Sequence, residues 1–142
     1  MTELSLSCSK RIIDATIVEG NALGLNPLSV VVLDTGGHVK AFERQDGASP
    51  GRFAIAQAKA YGSVMLGISG TAQMARAEAQ PYFSITANAA LDGKLMPVPG
   101  GVLIQNALGE TLGALGVTGD TSINDLAAGV AGIESVGLVA NG

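Results

Sequence analysis

The chain has 142 residues, only 14% of them Asp, Glu, Lys or Arg, and a formal net charge of −4. This is the length of one domain, residues 1–142, with a charged fraction well under the roughly 25% usual for soluble proteins. The acidic balance and lack of basic patches exclude a nucleic-acid partner, and no apolar run nears the roughly 20 residues of a membrane-spanning helix.

Residues 9 to 24 read as an amphipathic helix, with Ile12, Ile13, Ile17 and Leu23 at near-helical spacing and Gly24 placed to end it. Asn26-Pro27 breaks the chain before Ser29 to Asp34, a β-branched apolar run expected of a central strand. Gly36-Gly37 then allows a hairpin into His38 to Glu43, with Asp34 supporting the turn. Arg52 to Leu66 reads as a helix packed on more than one side. Thr71 to Gln80 is a short helix stopped by Pro81, and Ser84 to Leu91 is another helical stretch before Asp92-Gly93.

Pro97, Pro99, Gly100 and Gly101 mark a loop, after which Val102 to Gln105 and Thr111 to Val117 read as strands around a turn. The last helix is expected to start at Ser122, with Asp125 three residues on as an acidic variant of the capping box. The element order lacks regular β-α alternation, so the predicted fold is α/β of the α+β type, an antiparallel sheet with helices packed on it.

So little charge leaves apolar surface to cover, which predicts a homo-oligomer. Met1 to Ser5 has neither a basic start nor an apolar stretch, so the expected location is cytoplasmic. Cys8 stands alone, which rules out an internal disulfide, and no Cys/His cluster suggests a metal site. The expected partners are small molecules and further copies of the chain.

Five segments in order resemble a known family: Val31 to His38, Phe42 to Ala48, Ala56 to Ala60, Pro99 to Val102 and Gly113 to Gly119. The family is that of haem-binding proteins and glycolate-operon accessory proteins, also found as the C-terminal domain of a cobalamin adenosyltransferase. The resemblance implies a profilin-like fold, assembly into dimers or larger rings and, for some members, haem as a ligand. The chain departs from the pattern at Leu103, where the family often has Pro, and in its Ala- and Gly-rich tail after Asp125.

Among candidate site residues, Arg44, Asp46 and Lys59 are expected to converge on one cleft from a strand end, a loop and the next helix. There Arg44 would clamp a carboxylate, and Lys59 or Asp46 would move protons. The competing reading is a structural ion pair, Arg44 with Asp46 or Lys59 with an aspartate. Pro99, Gly100 and Gly101 could receive a carboxylate or oxyanion on backbone N–H groups, or simply turn the chain into a strand. His38 at the hairpin tip is expected in solvent, and Asp125 could be catalytic, although capping explains it without further assumptions.

Three functions follow from these features. The first is a binding domain for haem or another anionic small molecule. The second is a cofactor-independent lyase or isomerase acting on a small carboxylated catabolite. The third is a non-catalytic accessory subunit.

Overall fold

The computed structural model describes residues 3–142; Met1 and Thr2, part of the segment read for an export signal, lie outside the described residues. Five helices and one five-stranded antiparallel sheet follow in the order α1 (Leu6–Ala22), β1 (Ser29–Asp34), β2 (Val39–Arg44), α2 (Arg52–Leu66), α3 (Gly70–Ala79), α4 (Pro81–Ala90), β3 (Gly101–Gln105), β4 (Thr111–Thr118), α5 (Ser122–Glu134) and β5 (Val139–Asn141). The strand order is β2-β1-β4-β3-β5. Among the described residues, no helix is long and apolar enough to cross a membrane.

Side chains alternate across a strand, so each strand feeds two cores. On one face Val30, Val32, Val102, Ile104, Leu115 and Val117 pack under α1 and α5. On the other Val31, Leu33, Leu103 and Ala114 meet Ala56 and Ala60 of α2. The unbroken apolar run in β1 therefore reflects a strand covered on both sides. Small residues set the spacing between layers. A Cβ on Gly132 of α5 would run into Thr16 of α1, and one on Gly116 of β4 would run into the Ala56 carbonyl of α2.

The β1–β2 hairpin forms as expected. Asp34 Oδ1 accepts from the N–H groups of Gly36 (2.9 Å) and His38 (3.0 Å), while Gly37 takes the positive φ of 81° that the turn needs. His38 stands in solvent, its Nδ1 3.3 Å from Asp34. Pro81 acts in two ways: it ends α3 and, lacking an N–H, occupies the first turn of α4, which begins three residues before the expected Ser84. At the other end α1 starts at Leu6 rather than residue 9, because Ser5 accepts from the Cys8 N–H and caps the terminus.

The structure corrects the start of α5. Thr121, not Ser122, is the N-cap, accepting from the Asn124 N–H, and Ser122 is already helical. Asp125 reaches back five residues, two further than a capping box would, to the N–H of Asp120 at 2.9 Å. The β5 strand, absent from the sequence reading, pairs antiparallel with β3 at the sheet edge.

Candidate functional site

Lys59 leaves the inner face of α2 and is 3% exposed. Its ammonium donates to the Val117 carbonyl at 2.9 Å and to Asp125 Oδ2 at 3.2 Å. Asp125 belongs to α5, so the pair ties the two helical layers together beside the end of β4. Burial pushes the Lys59 ammonium toward a lower pKa, against the opposing pull of Asp125, and the Arg52 charge adds to the lowering. Burial likewise pushes the Asp125 carboxyl up, against the Asp120 N–H bond and the Lys59 charge, which favour ionisation.

Pro99, Gly100 and Gly101 are buried, and the two glycines pack on Lys59. A Cβ on Gly100 would lie 2.9 Å from Lys59 Nζ, and one on Gly101 would meet the Lys59 carbonyl and, at 2.6 Å, Ser63 Oγ. The Gly100 carbonyl accepts from Val117 N–H at 2.9 Å, and Gly101 enters the β3–β4 ladder opposite Gly116. These glycines make room for a lysine and a helix.

Arg44 and Asp46 are elsewhere. Both are exposed and border an open depression with Ile17, Glu43 and Gln45, between α1 and the end of β2. The single cleft expected to unite Arg44, Asp46 and Lys59 does not form, because Lys59 is drawn inward by Asp125.

A different concavity opens at the C-terminal end of α2. Leu66, Phe83, Thr86, Ala87, Ala90 and Leu91 line an apolar groove of about 380 Å³, within the range of small-molecule sites. Leu66 and Phe83 also wall a small, partly open cavity with Gln73, Arg76 and Leu95. The Arg76 guanidinium lies over the Phe83 ring, 3.4 Å from its centroid. Among the described residues the ion pairs are His38–Asp34 and Lys59–Asp125, so Arg76 is stacked on an aromatic face without a carboxylate partner. Stacking orders a planar guanidinium and leaves its N–H edge available to an anion.

This groove has no signature in the linear sequence. Arg76 and Phe83 sit on two helices separated by the break at Pro81, so no single periodicity joins them. Asp125 reads along the chain as a cap or a catalytic carboxylate, and its bond to Lys59 spans 66 residues.

The fold and its groove define an α+β small-domain architecture with room for a ligand beside α4. Residues 4–134 match the family described as haem degrading protein HbpS-like, and the chain belongs to that family. Among solved structures, a double mutant of Streptomyces reticuli HbpS has a TM-score of 0.82 at 23% identity, over 96% of this chain and 88% of that one. A complex of PduOC with heme has a TM-score of 0.84 at 20% identity, over 96% of both chains. Klebsiella pneumoniae protein ORFY has a TM-score of 0.83 at 19% identity, over 94% of this chain and 90% of its own. These likenesses establish the shared fold. No curated protein matches the sequence.

Proposed function

We propose that the chain is a self-associating small-molecule-binding domain whose ligand is flat, largely apolar and carboxylated, of the haem type, seated in the groove between Leu66 and α4. One observation carries this reading: Arg76, stacked on Phe83 without a carboxylate partner, lines the small cavity that adjoins the apolar groove through Leu66 and Phe83. Apolar walls bind a ring system, and a pre-ordered guanidinium binds a carboxylate bidentately. Family membership and the heme complex of a structural neighbour point to the same ligand class. Tyr82 and Ile85, 67% and 71% exposed on α4, give a second copy an apolar face beside the groove.

The lining suits the macrocycle and one carboxylate of haem. It does not suit ligation of iron: no His, Cys or Met lines the groove, and its one hydroxyl, Thr86 Oγ1, already donates to the carbonyls of Tyr82 and Phe83. Hemin and metal-free protoporphyrin are therefore expected to bind with similar affinity.

Absorbance titration tests the reading. Hemin is expected to shift and saturate near one equivalent per chain, and Ala90→Trp, which fills the groove, abolishes this. Non-saturating absorbance, or equal binding by the Trp variant, sinks the reading.

A further inference from the structure

A second site stands at the opposite, N-terminal end of α2. Ser29 of β1 is paired with Arg44 of β2 on one side and Thr118 of β4 on the other. Val31 and Leu33, two and four residues further along β1, face α2, so Ser29 faces it too. Residues paired across antiparallel strands hold their side chains side by side on one face. Ser29 and Thr118 therefore lie side by side beneath the start of α2, with Arg44 paired to Ser29 at the exposed end of β2, where it also borders the depression near Ile17; Arg52, the first residue of α2, donates from Nη1 to Thr118 Oγ1 at 2.8 Å.

Three features of this row are unexplained by the fold. The Ser29 hydroxyl is fully buried and has no hydrogen-bond partner, although nearly all buried hydroxyls in native proteins have one. The helix above it is capped by Gly51, with no side-chain cap and no acidic residue in its first turn; the Arg52 N–H bonds the Ser49 carbonyl at 3.2 Å, and the positive end of the helix has no side-chain counter-charge. Neither Arg44 nor Arg52 has an ion-pair partner among the described residues. Glu43, next to Arg44, is directed to the α1 face, where its carboxyl meets Asp14 and Lys10.

We infer that this end of α2 is a binding site for a small oxyanion, the carboxylate or phosphate group of a small molecule. Arg52 and Arg44 supply charge, the first-turn N–H groups of α2 supply donors, and the Ser29 hydroxyl at the floor donates the bond it otherwise lacks. Charge-assisted bonds of this kind are about twice as strong as neutral ones, and helix N-termini suit anions. The site is separate from the groove at Leu66: α2 has 15 residues, which puts the two about 20 Å apart.

The test is a 1H–15N NMR titration of the full chain with sodium phosphate and, separately, sodium acetate, at ionic strength held constant with sodium chloride. Saturable shifts at Ser29, Phe53, Ala54 and Thr118 are expected with at least one of the two anions, and which one saturates assigns the group. Arg52→Gln should weaken binding about tenfold, and Ser29→Ala less. Arg44→Gln, at an exposed edge strand, is a second variant that leaves the core intact. Linear shifts, shifts centred on Arg76, or unchanged affinity in both arginine variants overturn the inference. Hemin binding in the Arg52→Gln protein keeps the two sites distinguishable: it is expected to be unchanged, whatever the fate of the oxyanion site.

Discussion

Lys59 and Arg76 are two cations of one small protein, and their surroundings give them opposite work. Lys59 is buried, bonded to a carboxylate and a carbonyl, and enclosed by glycines. Arg76 is exposed, rests on an aromatic ring and has no acidic partner among the described residues. Removing one partner of a buried pair leaves the other charge uncompensated, so such a pair holds a structure together whatever its net contribution. A cation that the fold does not neutralise remains available to a ligand. On the function proposed above, Lys59 belongs to the scaffold and Arg76 to recognition.

The largest expected effect tests the scaffold half. Asp125→Ala strands the Lys59 ammonium and should cost about 3–5 kcal/mol in urea unfolding, whereas the double variant Lys59→Met, Asp125→Leu should recover most of that loss. If the double variant is as unstable as the single one, the pair is not the cause. Next come the glycines beside it. Gly101→Ala, whose Cβ would meet the Lys59 carbonyl, should cost about 2–3 kcal/mol by overpacking, measurable as a lowered urea midpoint.

The recognition half predicts a different pattern. Arg76→Ala should weaken hemin binding about tenfold while changing stability by less than about 1 kcal/mol, since exposed cation–π contacts are weak. Comparable losses of binding and stability would make Arg76 a structural residue instead.

The smallest effect concerns Asp120 on the surface. Its Oδ1 accepts from the Asn26 N–H at 3.0 Å and its Oδ2 from the Asn124 side chain at 2.8 Å. The Asn26 bond first, then those from Asn124 and Thr121, hold its pKa below the ordinary 3.8. A depressed carboxyl adds stability that is fully present above the unfolded value and lost as pH falls through the folded one. NMR titration of the Asp120 carboxyl should show a midpoint under 3.8, and Asp120→Asn should flatten the acid end of the stability profile slightly.

Much of the fold was legible because its signals are local. The bounds of α2 emerge from a helical run between Gly51 and Gly67, and those of β1 from a β-branched run. The β1–β2 turn follows from Asp34 and two glycines. Less was legible where choices are near-degenerate: Thr121 and Ser122 are both competent caps, and Asp125 favours the first because that register turns its carboxylate toward Lys59. The three-residue β5 has too little pattern to announce itself, and it forms only because β3 presents an unpaired edge.

The candidate site divides the same way. That Lys59 and the Pro99–Gly101 turn matter could be read from residue type. Where they act could not, because the partner of Lys59 lies 66 residues away in the opposite helical layer. By itself the sequence determined every element but β5, the antiparallel α+β class and the family, since periodicity, turn chemistry and motif order are properties of neighbours along the chain. Only the tertiary structure decided which cations are neutralised. Long-range packing buried Lys59 against Asp125 and left Arg76 on Phe83 without a carboxylate, and that partition depends on distances the linear order does not contain.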